Sequence, residues 1–232
     1  MYPDISVGNI QQIQQDLTVN DMTNALDFDF DAGELCLDYA NTAEMHASQK
    51  PDESLHDFED LVTWGQAAGL VAPGRAKDLR QIAREHVDEA DAFYGRAIGL
   101  REAIYDLFAQ LSGEQMVNPE DLALLNHALR QALPHLRVIP SSTGFNWGWA
   151  DNPQALDQII WPVARSAADL LTSNNLTRVR QCADDRGCGY LFMDTSRNRS
   201  RRWCSMESCG NRAKASRHYQ RQRESGRGEA FQ

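Results

Sequence analysis

This chain lacks what a membrane protein, a fibre or a disulfide scaffold requires. None of its 232 residues falls in an apolar run approaching the ~20 that cross a bilayer. Met1-Tyr2-Pro3-Asp4 places no basic segment ahead of an apolar one, so neither a secretory signal nor a transit peptide is read. A cytoplasmic address and no membrane partner are expected. Internal repeats and low-complexity tracts are missing too. So are the common catalytic patterns. His46, His56, His86, His127 and His135 are dispersed without paired metal spacing, and there is neither a phosphate-cradling glycine loop nor a nucleophile elbow. That argues against an enzyme.

Basic residues are scarce overall, 23 against 33 acidic ones, for a net charge of −10. An acidic surface repels phosphate. The scarcity is local, however. Through Asn175 the chain carries 10 basic and 27 acidic residues, net −17, whereas from Leu176 to Gln232 it carries 13 and 6, net +7. The last quarter is therefore the part suited to a negative partner. The same charge step allows the two parts to attract each other, so that the acidic one masks the basic one. The hydrophobic fraction, 42%, is ample for a buried core.

Periodicity predicts an α+β protein whose first large part is mainly helical. Residues 1–25 are polar and Gln-rich and read as a loosely held arm. Leu26-Asp27-Phe28-Asp29-Phe30 alternates as a short strand that Gly33 turns. Leu55, Phe58, Leu61, Val62 and Ala68 recur at helical spacing behind Ser54, which is placed to cap. Further helices are expected from Arg75 to Glu85, Glu89 to Leu111 and Pro119 to Leu133. Two alternating runs around Ser141-Ser142-Thr143-Gly144 predict a β-hairpin with Phe145, Trp147 and Trp149 on one face. A last helix should run from Asn152-Pro153 to Leu171. A domain boundary is expected after Asn175, giving parts 26–175 and 176–232. Aromatic stripes such as the hairpin and Trp64 are more often core than ligand pocket, so no pocket residue is assigned.

Cysteine is sparse except at one place. Cys36 stands alone between Leu35 and Leu37, as a small core residue does. Cys182 and Cys188 form one close pair and Cys204 and Cys209 another, with a fifteen-residue insert between the pairs. Each pair is placed to fold over one edge of a tetrahedral ion while the insert lets the pairs meet. Four thiolates suit one structural Zn²⁺ with no open position. Gly187 and Gly189 flank Cys188, as a tight knuckle with positive φ requires. Tyr190 to Asp194 and Arg201 to Trp203 read as two strands joined through 196–200, and the sequence after Cys209 reads as a helix. Knuckle, hairpin and a helix supplying the last ligand describe a treble-clef finger.

The run Cys204-Ser205-Met206-Glu207-Ser208-Cys209-Gly210-Asn211-Arg212, preceded by Ser200-Arg201-Arg202-Trp203, resembles the CGNR zinc finger. Upstream, Gly33-Glu34-Leu35-Cys36-Leu37-Asp38-Tyr39-Ala40-Asn41-Thr42, with Asp60-Leu61-Val62, Trp64 and Ala68-Gly69-Leu70, resembles the ABATE domain that accompanies this finger in bacteria. The resemblance implies a stress-related transcription regulator whose finger binds DNA and whose first domain senses an unidentified small molecule.

The residues make their own case for nucleic acid. From Ser196 to Arg223 nine basic residues face one acid, Glu207. Arg197, Arg199, Arg201 and Arg202 lie in a loop suited to holding the phosphate backbone. On a helix from Cys209, Lys214, Arg217 and Arg221 share one face with His218 beside them, while Arg212 precedes them and Ala215 and Tyr219 lie on another face. Such a helix fits a major groove. Two alternatives remain open: an adaptor whose basic finger contacts protein, or RNA recognition, for which Tyr190, Phe192 and Trp203 would stack on unpaired bases.

Overall fold

The computed structural model describes residues 28–150, 152–216 and 219. The expected N-terminal arm, together with Arg217, His218 and Arg221, lies outside them.

Of the strand expected at Leu26 to Phe30, the described part is not a strand, and Leu26 and Asp27 lie outside the described residues. Phe28, Asp29 and Phe30 run without regular pairing. Phe28 packs against the core, and Asp29 turns its carboxylate back onto the backbone N–H of Asp31 at 2.9 Å. After Gly33, at φ +92°, the chain enters α1 (Leu35–Ala40). A two-residue ladder follows, β1 (Ala43–Glu44) against β2 (Asp52–Glu53).

Helix α2 spans Phe58–Ala67, later than the expected start at Ser54. Asp57 caps it in place of Ser54, its side chain accepting from the Asp60 N–H at 3.0 Å. Helix α3 (Pro73–Glu85) and α4 (Val87–Ser112) follow. The 26 residues of α4 make a rod about 39 Å long. Helix α5 (Pro119–Ala132) begins with Pro119 behind an Asn118 cap, as its sequence requires. The hairpin β3 (Leu136–Ser141) and β4 (Gly144–Trp149) pairs Val138 with Trp147 and Pro140 with Phe145. A 3₁₀ turn at Leu156–Ile159 precedes α6 (Trp161–Leu171), so the last helix starts later than Asn152-Pro153 suggests.

One core holds these elements. Helix α1 is wedged between α4 and α6, with Cys36, Leu37, Tyr39, Trp64, Ile104 and Phe108 wholly buried. The Tyr39 hydroxyl donates to the Ala97 carbonyl at 2.8 Å, fixing α1 to the middle of α4. Burial pushes the Cys36 thiol up to about 12, in keeping with a packing role. Trp64, with no exposed surface, is core and not a pocket wall.

The basic segment joins this core. Strand β5 (Val179–Gln181) pairs antiparallel with β6 (Leu191–Met193), and both lie on α4. Val179, Leu191 and Met193 belong to the same buried cluster as Tyr39 and Trp64. The sequence places the partner of 190–194 at 201–203, but the pairing strand is β5. The reason lies at the other edge of β6. There Asn41 receives both polar groups of Leu191, and the Ala32 carbonyl accepts from the Met193 N–H at 2.8 Å. No room is left for a further strand.

Among the described residues no helix is long and apolar enough to cross a membrane. Nor, among them, does an ion pair join a basic residue of the finger to a carboxylate of the helical part. The junction is made of apolar contacts, backbone hydrogen bonds and the side-chain hydrogen bonds of Asn41 and Tyr105.

Candidate metal centre

Cys182 follows β5 directly, and its N–H donates to the Tyr190 carbonyl at 2.9 Å, closing the knuckle. Gly187 and Gly189 take φ of +93° and +67° on either side of Cys188. Gly187 also lies where a Cβ would sit 2.7 Å from the Ser48 backbone, and at Gly189 one would sit 2.5 Å from the Tyr105 hydroxyl. The knuckle is thus seated on the segment 45–48 and on α4. Tyr105 donates to the Gly189 carbonyl at 3.0 Å and receives the Gln181 amide at 2.8 Å. Behind it the His46 ring stacks on Tyr105, 3.5 Å between centroids, and bonds Glu102 at 2.8 Å. Burial raises Glu102, but hydrogen bonds from His46 and Arg101 outweigh it and hold the carboxyl at about 2.

The second pair arrives on a tight helical turn. Met206–Gly210 forms a π-type turn capped by Ser205, and residues 211–216 continue as helix. Cys209 therefore sits at the start of the terminal helix. Ala215 and Tyr219 are exposed.

The sulfur atoms of Cys182, Cys188, Cys204 and Cys209 all lie within 4.8 Å of one another. Cys188 and Cys204 are 3.8 Å apart, and Cys204 and Cys209 3.6 Å. Tetrahedral Zn²⁺ with bonds near 2.3 Å sets sulfur–sulfur edges of about 3.8 Å, so the donor set fits one zinc ion with every position filled. Four thiolates this close repel one another unless a cation sits among them, so the donor set suits a metal better than free thiolates.

Around the sulfurs stands a polar shell that sequence reasoning left out. The Cys204 N–H donates to Cys182 Sγ at 3.4 Å, and Arg212 donates to Cys209 Sγ at 2.8 Å. Asp184 is buried inside the knuckle and holds Arg212 at 3.0 Å and Arg186 at 3.3 Å. An acid within a basic finger was the available signal. Asn211 ties its amide to the Glu207 carbonyl at 3.1 Å, and Gly210 admits the Met206 side chain, within 2.8 Å of where a Cβ would be. Each residue of Cys209-Gly210-Asn211-Arg212 thus has a structural task. The other missed residue is Asn41, which binds the Leu191 carbonyl at 2.8 Å and N–H at 2.9 Å, as a neighbouring strand would.

The expected nucleic-acid residues divide. Arg201 faces inward: its guanidinium lies 4.5 Å from the centre of the Phe192 ring and donates to the carbonyls of Trp203 and Cys204. Its N–H donates to Asp194 at 2.9 Å. Arg212 belongs to the metal shell. Arg197, Arg199, Arg202 and Lys214 are exposed. Of the three aromatic residues, Phe192 is fully buried, and Tyr190 and Trp203 are half-buried against the cysteines. They form the finger's small core.

A helical domain carrying a four-cysteine zinc finger locked into its core defines a two-part zinc-binding protein. The ABATE family, described as "Putative stress-induced transcription regulator", matches residues 33–174, and the CGNR zinc finger matches 178–222. The chain belongs to the ABATE family and ends in a CGNR zinc finger. No curated relative matches it.

Proposed function

We propose that this chain regulates transcription in the cytoplasm by binding duplex DNA through its zinc finger, without a catalytic step. One observation carries the reading. Arg197, Arg199, Arg202 and Lys214 are exposed on the finger, and none pairs with a carboxylate among the described residues. Arg199 bonds the Thr177 hydroxyl and Arg202 lies over the Trp203 ring, and exposed guanidinium groups that no described carboxylate pairs suit phosphate and guanine edges. By sequence spacing alone Arg217 and Arg221 fall with Lys214 on one side of a helix, with His218 beside them. Duplex DNA is favoured over unpaired RNA because the aromatic residues needed for stacking are packed inside the finger.

A sensing role is supported by a cavity of about 280 Å³ between the two parts. Asp38, Asn41 and Met45 line one side of it, and Tyr190, Cys204 and Arg212 the other. A small molecule held there touches the helical domain and the metal shell together.

The test is a titration of the zinc-loaded full chain with duplex DNA over a range of salt. The full chain is needed because β5 and β6 complete the helical core. The affinity should fall by about 0.9 log unit per log unit of salt for each phosphate neutralised. Replacing Arg197, Arg199 and Arg202 by alanine should reduce that slope. Salt-insensitive binding, or a slope unchanged in the triple variant, refutes the reading.

A further inference from the structure

The hairpin β3–β4 carries a face that the other described residues leave largely uncovered. Its register puts Leu136 opposite Trp149, Val138 opposite Trp147 and Pro140 opposite Phe145. Opposed residues point to the same side of a sheet, so one whole face is apolar. Only its base is covered, where Trp149 meets Trp161 with ring centroids 5.8 Å apart. Further out, Val138 is 60% exposed, Trp147 60% and Phe145 76%. Lone exposed apolar residues need no explanation, but a contiguous apolar sheet face does.

Beside that face runs a valley. Trp147 and Trp149 form one wall, Pro162, Arg165 and Asp169 of α6 the other, enclosing about 290 Å³. Arg165 lies 4.7 Å from the centre of the Trp147 ring and pairs with Asp169 at 3.3 Å, giving the valley a polar rim. A projecting apolar tip and a shallow recess, walled by the two indoles and Pro162 and rimmed by Glu34, Arg165, Ser166 and Asp169, therefore sit side by side on one surface. Self-complementarity of this kind is what a two-fold interface requires, because each copy must offer the part the other receives.

Charge selects the occupant. The chain through Asn175 is at −17, so two copies repel each other across most of their surface. Between Arg137 and Asp151 there is no ionisable residue. A basic partner would seek the acidic surface, whereas a like-charged copy approaches best through the uncharged hairpin, meeting in the valley an Arg165 already paired with Asp169. Size agrees. With aromatic side chains offering roughly 150–250 Å² each, the exposed parts of Phe145 and Trp147 amount to about 300 Å². Val138, Pro140 and the valley walls bring the contact to about 1,000 Å² for a pair, the lower bound for a specific interface.

We propose that two copies of this chain associate through their hairpins, each placing the tip carrying Phe145 in the valley between the other's hairpin and α6. Sedimentation equilibrium of the zinc-loaded full chain should give about twice 26.1 kDa at micromolar concentration. Trp147→Glu and Phe145→Glu should each halve that mass while leaving zinc content and the far-ultraviolet circular dichroism unchanged. Leu124→Glu, at an exposed apolar residue of α5, should remain dimeric. A wild-type chain that is monomeric throughout overturns the proposal. So does a dimer that survives both hairpin substitutions, or one that Leu124→Glu dissolves equally well.

Discussion

Replacing Asn41 by alanine measures the strength of the junction between the two parts. Asn41 is 9% exposed and makes two hydrogen bonds, to the N–H and the carbonyl of Leu191. Leu191 has no exposed surface, so both of these polar groups depend on the Asn41 amide for a partner. Leaving a buried donor or acceptor unpaired costs about 1–3 kcal/mol, and two of them about 2–6 kcal/mol. Against a total stability of ~5–15 kcal/mol this is a large fraction, equivalent to a fall of roughly 4–24 °C in Tm for a chain of this size. The assay is urea unfolding followed by circular dichroism, with zinc release read by a chromophoric chelator in the same samples. Because β6 lies in the helical core and its neighbour Phe192 packs with Cys182 and Cys209, zinc should also leave at lower urea. Asn41→Asp keeps an acceptor for the Leu191 N–H but loses the donor, and should be no less destabilised. A loss below about 0.5 kcal/mol in Asn41→Ala refutes the accounting. Unchanged zinc release in a destabilised variant refutes the coupling.

Three further outcomes are expected. Burial, helped by the charges of Asp29 and Asp31, raises Asp38 from 3.8 to about 6, so the folded state favours its protonated form. Its contribution to stability is therefore complete below about pH 4 and lost as the pH rises through 6. Asp38→Asn, which retains an acceptor for the Ala32 N–H, should stabilise the protein at pH 7 by ~1–2 kcal/mol and flatten the pH dependence of the urea midpoint between 4 and 6. An unflattened profile counts against the assignment. Gly189→Ala should cost about 2–4 kcal/mol through backbone strain and overlap with Tyr105. By contrast Gly99→Ala, in open space on α4, should gain ~0.5–1 kcal/mol in the same unfolding assay. Equal effects at the two glycines contradict the close seating of the knuckle. Cys204→Ser should abolish stoichiometric zinc measured by elemental analysis, and Cys36→Ser should leave it intact; zinc retained in the first removes Cys204 from the ligand set.

Much of this was legible in the sequence where one local rule decided the matter. The helices from Pro73 to Ala132 follow from apolar spacing and from proline in the first turn, and the hairpin from alternation around Gly144. The zinc ligands follow from paired cysteines flanked by Gly187 and Gly189. The errors arose where distant parts of the chain compete. Phe28-Asp29-Phe30 alternates like a strand, yet Phe28 finds the core and Asp29 its own backbone. Leu191–Met193 has β character, but its partners come from Val179–Gln181 on one edge and from Asn41 and Ala32 on the other. No local pattern reveals an asparagine standing in for a strand 150 residues away. The arginines show the same limit. Composition put all nine in one basic field, whereas Arg201 and Arg212 are turned inward by a ring, a sulfur and the buried Asp184.

The seating of the knuckle bears on how far apart two fingers can stand. Most multipart DNA-binding chains join their reading head by a linker whose slack tolerates variable distances between half-sites. Here Gly187 and Gly189 press backbone against backbone, and β5 and β6 finish another domain's core, so there is no tether to stretch. If two copies pair and bind duplex DNA as proposed above, the span between their basic faces is a constant of the fold, and sites of correct sequence but altered spacing, by even half a helical turn, should be rejected.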